Sequence, residues 1–238
     1  AQERNAPLTL VGRDYLFAAL THTTEQQSML VWPSQDQNLV DDFIESGGRT
    51  TWQPVRITIP LLGYHQVENT ATAYAVLQVA RLNGIRISEK EILRGFASVN
   101  WPGRFEFLRR NPPVVIDSAH NGDSALKLRL ALDDYLPGVP IILVFGASED
   151  KDIHSMFVEI LPRVRCMIAT QSEHPRAIEA GKLVEMAHQF GTKAIAIVPL
   201  EDALEKALEL TDGEAGVVVT GSIFVAAAVR ELWNRRRA

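Results

Sequence analysis

The hydrophobic rhythm of the chain changes twice. Up to about residue 62 there is no helical periodicity; short β-prone pieces such as Tyr15-Leu16-Phe17, Ser28-Met29-Leu30-Val31-Trp32 and Val55-Arg56-Ile57-Thr58-Ile59 alternate with polar or Gly-rich turns. This predicts a small antiparallel β region in which Asp41-Asp42 and Gly47-Gly48 are loop residues. From Val67 to Leu82, apolar and small residues return at helical spacing through Ala71, Tyr74, Ala75 and Leu77, until Asn83-Gly84 supplies a stop. Ser88 with Glu91 forms a capping box that opens a second helix, running to about Ala97. Asn100-Trp101-Pro102-Gly103 ends it, because Pro and Gly do not continue a helix, and the domain boundary is placed there. The expected division is residues 1–99, a linker at 100–103, and a second domain at 104–238.

Beyond the boundary the pattern is regular. Strands are predicted near Phe105–Leu108, Val114–Asp117, Ile141–Gly146, Cys166–Thr170, Ala194–Val198 and Val217–Thr220. Helices are predicted near 122–135, 152–161, 178–190, 200–210 and 223–235. Strands that alternate with helices imply parallel pairing through right-handed crossovers. The segments Ile141–Phe145 and Gly216–Thr220 are continuously apolar, as strands covered on both faces are. The expected fold class is α/β: a Rossmann-like three-layer C-terminal domain with a mainly parallel sheet, preceded by a small β region and helices.

Composition narrows the class only slightly. A hydrophobic content of 46% and a net charge of −5 describe an ordinary globular protein and argue against a nucleic-acid binder, which presents a basic face. The cluster Arg235-Arg236-Arg237 is read as a frayed, solvated tail. The one cysteine, Cys166, excludes an internal disulfide, reads as a small buried hydrophobe and points to a reducing, cytoplasmic setting. No stretch approaches the ~18 apolar residues of a membrane span, and the opening Ala1-Gln2-Glu3-Arg4-Asn5 is polar. No nucleic-acid or membrane partner is expected, and the chain is expected to be a monomer.

The chemistry concentrates where Val114-Val115-Ile116 delivers Asp117-Ser118-Ala119-His120-Asn121 to the carboxyl end of a strand, the place where open α/β sheets bind ligands. Arg104 lies shortly before it, and a guanidinium presents a fork of donors suited to phosphate. His120 can donate or accept a proton near neutral pH. The loops Gly146 to Asp152, Thr170 to Pro175 and Thr220-Gly221-Ser222 should reach the same rim, and Gly221-Ser222 ahead of an apolar helix makes an anion site. Each residue also has a plain alternative: Asp117 or Ser222 as a helix cap, His120 as a structural histidine, Lys151 as part of a surface ion-pair cluster. No P-loop, no Gly-x-Ser-x-Gly elbow and no metal-ligand spacing occurs among the six histidines.

Five segments stand in one order: Leu62-Gly63-Tyr64-His65-Gln66-Val67-Glu68-Asn69-Thr70-Ala71-Thr72-Ala73, Trp101-Pro102-Gly103-Arg104-Phe105-Glu106, Ile116-Asp117-Ser118-Ala119-His120-Asn121, Ser148-Glu149-Asp150-Lys151-Asp152 and Thr220-Gly221-Ser222. In these the chain resembles the folylpolyglutamate synthase / dihydrofolate synthase family of the Mur ligase superfamily. Ala6-Pro7-Leu8 and Gly12-Arg13-Asp14-Tyr15 resemble the stretch that leads into this region. The resemblance implies an ATP-dependent ligase that activates a carboxylate as an acyl phosphate and joins it to L-glutamate, with folate or dihydropteroate as acceptor. It implies Asn69 on adenine, Arg104 on the ATP phosphates, Asp117 on ribose or orienting Arg104, His120 beside the transferring phosphate, and Ser222 on the incoming glutamate. It implies Mg2+ as well, with ligands expected upstream of this chain, and a first domain that is the remnant of an ATPase domain. Catalysis by the 238-residue chain alone is therefore not expected. A Mur-type ligase of cell-wall precursors and a non-catalytic nucleotide- or amino-acid-binding module are the rival readings. Gly122 stands where the family usually has Pro, and Ser118 where a Gly often precedes Ala-His-Asn.

Overall fold

A computed structural model describes residues 7–237 and divides the chain into two compact units, the first ending at Asn100 and the second beginning at Trp101. The readings made for Ala1 to Asn5 and for Ala6 lie outside the described residues.

The first unit holds a three-stranded antiparallel sheet of β1 (Tyr15–His22), β2 (Gln27–Pro33) and β3 (Val55–Ile59), with β2 in the middle. Alternation sends Met29, Val31, Ile57 and Ile59 to one face, where Val67, Ala71 and Tyr74 of α2 (Tyr64–Leu82) and Ile92 of α3 (Glu89–Ala97) cover them. The capping box at α3 is present: Glu91 N–H donates to Ser88 Oγ at 3.3 Å, and Ser88 N–H donates to Glu91 Oε2 at 2.8 Å. Asp41 and Asp42 are not loop residues but lie in a helix, α1 (Gln37–Glu45). That helix buries only Val40, so it leaves no apolar stripe to read; Trp32 Nε1–H on Gln37 and Gln37 Nε2–H on Asp41 brace its start.

The second unit is a six-stranded sheet in the order β4 (Glu106–Arg110), β5 (Pro113–Ile116), β9 (Gly216–Thr220), β6 (Ile141–Phe145), β7 (Val164–Ala169), β8 (Ala194–Ala196). All neighbours pair in parallel except β4 and β5, which follow one another without an intervening helix and form an antiparallel hairpin. On one face Val114, Ile116, Val217, Val219, Ile142 and Val144 pack against α7 (Leu200–Glu209) and α8 (Ile223–Arg237) through Leu204, Val225, Val229 and Trp233. The helices α4 (Gly122–Tyr135), α5 (Ile153–Ile160) and α6 (Ala180–Gln189) complete the α/β arrangement; Phe145 of β6 meets Phe157 of α5 with ring centroids 5.0 Å apart. Cys166 is half-buried and packs at the edge of the core, where burial raises its thiol pKa.

One sequence reading changes here. The tail arginines continue α8 rather than fraying, while Arg235 and Arg236 are solvated as expected and Arg236 pairs with Glu205 at 2.8 Å on the surface. The strand closest in sequence to the C terminus, β9, lies in the middle of the sheet between β5 and β6, which alternation alone does not reveal. Among the described residues no helix is long and apolar enough to cross a membrane.

Because Phe145 is fully buried against Phe157, Phe145→Ala should cost about 3–5 kcal/mol of unfolding free energy in urea titration. Leu82→Ala, at a side chain 84% exposed, should stay within about 0.5 kcal/mol of wild type.

Candidate functional site

With β9 inserted between β5 and β6, the loops leaving these three strands and β7 share the carboxyl rim of the sheet. Asp117 follows β5 directly and its own N–H continues the ladder to Val219 O at 3.0 Å. Its carboxylate turns inward. Oδ2 accepts from Phe105 N–H and Oδ1 from Ala119 N–H, each at 2.8 Å, and the residue is only 8% exposed. Burial pushes its pKa up to about 6, against the opposing pull of these two amides and of the Arg104 and His120 charges.

The turn carrying Arg104 is anchored on both sides of that residue. Gly103 O accepts from Ser118 N–H and from Ser118 Oγ–H, both at 2.9 Å, while Gly103 N–H donates to Glu106 Oε2 at 2.8 Å. Phe105 is held at φ +44, a left-handed conformation that costs a non-glycine residue about 1–3 kcal/mol. Its amide bond to Asp117 and the burial of its ring beside Tyr135 and Phe107 offset that strain. Ser118 thus supplies one of the anchors.

His120 sits at the mouth of the same loop. Its Nδ1 is 3.0 Å from Ser118 O, and because a carbonyl only accepts, Nδ1–H is the donor and the bond fixes the orientation of the ring. Asn121 caps α4 by accepting from Ser124 N–H at 2.8 Å. Gly122 fits where a larger residue would not, since a Cβ there would lie 2.7 Å from Ser155 Oγ and 2.9 Å from Ser155 Cβ.

Arg104, Ser118 and His120 open onto a cavity of about 190 Å³ shared with Ser148, Asp150, Lys151, Arg176, Gly221, Ser222 and Phe224. Ser222 caps α8: its Oγ accepts from Phe224 N–H at 3.1 Å and its carbonyl from Ala226 N–H at 3.1 Å. The start of α8 therefore presents partial positive charge to the cavity. Gly221, at φ +103, lies so close to β6 that a Cβ would meet Gly146 O at 2.7 Å. The basic side chains Arg104, His120, Lys151 and Arg176 face a single carboxylate, Asp150, already bound to Lys151 at 3.0 Å.

The structure thus brings together Arg104, His120 and Ser222, with Asp117 buried behind them as their scaffold. Asn69 belongs to the other unit, on the exposed side of α2, where its Nδ2–H donates to Gln66 Oε1 at 3.2 Å. Sequence reasoning missed Arg176 and undervalued Lys151. Lys151 does form the surface ion pair expected of it, yet it also lines the cavity. Arg176 sits one residue past the rim segment read from the sequence; Glu149 N–H to Arg176 O and Ile178 N–H to Ala147 O, both 2.9 Å, clasp its loop to that of Lys151. A larger groove of about 890 Å³ also touches Phe224, but Glu173, Glu201 and Glu231 outnumber Arg235 there, a poor lining for phosphate.

Asp117 makes stability pH-dependent in a definite direction. The folded carboxyl keeps its proton up to about pH 6 and the unfolded one releases it near 3.8, so its contribution is greatest below 3.8 and is lost as pH rises through about 6. The loss amounts to about 3 kcal/mol. Asp117→Asn cannot titrate: the unfolding free energy of wild type minus that of the variant should fall by roughly that amount between pH 4 and pH 7. A flat difference would count against the buried ionisation.

The family described as Mur ligase, glutamate ligase domain, matches residues 103–223, the turn of Arg104 through the start of α8. A probable bifunctional folylpolyglutamate synthase/dihydropteroate synthase of Haloferax volcanii is 30% identical over 207 residues, covering 82% of this chain and 24% of that protein. The dihydrofolate synthase/folylpolyglutamate synthase of Mycobacterium tuberculosis is 33% identical over 199 residues, covering 75% of this chain and 40% of that protein. The structure of E. coli FolC in complex with DHPP and ADP is similar over 100% of this chain and 50% of its own, with a TM-score of 0.77 and 26% identity. The chain spans less than half the length of these two curated relatives and half of that solved chain. With its matched segment running from the arginine turn to the cap of α8, the chain belongs to the Mur ligase family, as a glutamate ligase domain joined to a smaller β-sheet unit.

Proposed function

We propose that the cavity is the amino-acid end of the site of an ATP-dependent amide ligase that adds L-glutamate to a folate or dihydropteroate. One observation carries the reading: Arg104, His120 and the capped start of α8 converge on a space below the size range of nucleotide or drug-sized pockets, about 300–1,000 Å³. An amino acid fits such a space, and a folate does not.

The chemistry takes two steps. The acceptor carboxylate attacks the γ-phosphorus of ATP, ADP departs, and an acyl phosphate forms. The glutamate amine then attacks the acyl carbon and phosphate leaves. Arg104 meets the phosphate in both steps, since phosphoryl transfer depends on positioning and on charge placed where charge develops. The amine must lose a proton before it attacks, and the neutral form of His120, with Nδ1–H held by Ser118 O, would offer Nε2 to receive it. Ser222 and the first amides of α8 hold a carboxylate of the incoming glutamate. Of the two roles open to Asp117, orienting the Arg104 turn is the better supported, because both its oxygens are engaged by backbone amides. Asn69 is assigned to adenine on the strength of the resemblance. Among the described residues no three His, Cys, Asp or Glu side chains come together to hold a metal ion; the Mg2+ that accompanies ATP is assigned on the strength of the resemblance, with its ligands upstream.

The 238-residue chain contains no phosphate-wrapping Gly-rich motif, and by itself it should not ligate glutamate to folate or dihydropteroate when ATP is supplied; turnover by the purified chain would overturn that expectation. In the smallest polypeptide containing these residues that does turn over, Arg104→Ala should lower kcat roughly 10²- to 10³-fold while thermal unfolding stays unchanged. Retained kcat would refute the role given to Arg104, and activity confined to muramyl peptide acceptors would replace the folate reading with the cell-wall one.

A further inference from the structure

The Arg104 turn is tied to α8 as well as to the loop after β5. Glu106, the first residue of β4, accepts from Gly103 N–H through Oε2 at 2.8 Å and from Arg230 Nε–H through both oxygens, at 2.9 and 3.1 Å. Arg230 lies on the same helix whose first turn presents Ser222 to the cavity. Neither Glu106 nor Arg230 lines the cavity. Their side chains are 27% and 35% exposed, so the ion pair is screened and contributes little to global stability. Its geometry is nonetheless specific, because one carboxylate spends its acceptors on a turn amide and on a guanidinium 124 residues away.

We infer that Glu106 and Arg230 are positioning residues for anion binding: they set the pitch of the Arg104 turn against α8, so that the guanidinium and the amides of the helix start address one anion. The inference rests on the ligase reading only in taking the cavity as an anion site. Gly103 O and Phe105 N remain fixed by Ser118 and Asp117 when Glu106 is removed, which leaves the turn free to pivot about those two points. A pivot moves the side chain between them, that of Arg104. Displacement of a positioning group by about 1 Å can cost on the order of 10²-fold in effect, far more than the pair is worth as a surface contact.

Inorganic phosphate titrated into the 238-residue chain, followed through the His120 ring resonances by NMR, tests this directly. Glu106→Ala and Arg230→Ala should each weaken phosphate binding roughly tenfold, the double variant should be no weaker than either single, and Arg230→Lys should recover part of the loss, all with little change in melting temperature. The inference fails if either alanine variant binds within about twofold of wild type, or if the two losses add in the double variant. It fails equally if affinity falls only in step with melting temperature and Arg230→Lys does not restore it, which is the behaviour of a merely structural contact. A wild-type chain with no saturable phosphate response also overturns it, while the ligation assay decides the ligase reading on its own.

Discussion

The site depends on one buried carboxylate gripping two backbone amides. Asp117 joins Phe105, on the far side of the Arg104 turn, to Ala119, at the start of the His120 loop. Both loops are irregular backbone at the end of a sheet, where ladder bonds have stopped and buried amides need other partners. A carboxylate has acceptor capacity for both, whereas a carboxamide would turn a donor toward one of them. Strain at Phe105, at φ +44, is tolerable because this bond and the buried ring hold it.

That arrangement is costly near neutral pH. Burial raises the carboxyl pKa to about 6, so at pH 7 the protein holds an ion that its fold would prefer to neutralise. The ionised form grips the amides best, since charge-assisted hydrogen bonds are the stronger kind. Placed behind Arg104 and His120 rather than among them, it steadies the basic wall from outside the cavity.

The strand pattern, the capping box at Ser88 and Glu91, and the rim around Asp117 and His120 were legible because each is a local signal: periodicity, a cap spanning four residues, polar residues ending an apolar strand. Helix α1 was not, because burying Val40 alone leaves no stripe. The burial of Asp117 was not, because its partner Phe105 and the covering strands are brought in by tertiary structure. Lys151 looked like a surface charge and is one; only the clasp between Ala147–Glu149 and Arg176–Ile178 turns its loop and that of Arg176 into a second basic wall. The central place of β9 was equally hidden, although it is what puts Ser222 beside His120.

Every anchor of the cavity lies in the second unit: Asp117 and Ser118 on the arginine turn, Glu106 with Arg230, the clasp between the two loops, and the cap of α8. Their partners are all drawn from residues 103–230. Donors that are already fixed when a ligand arrives need no reorganisation, which is the condition under which they stabilise charge most strongly. These anchors of the basic walls are therefore internal to this unit. Rate is a different matter, because a preformed anion site favours bound phosphate as readily as the transition state unless a reacting carboxylate and a nucleotide are held in line with it. Under the ligase function proposed for it, this unit would seat the amine donor and the transferring phosphate, and turnover would require the reactants to be delivered to that seat in register.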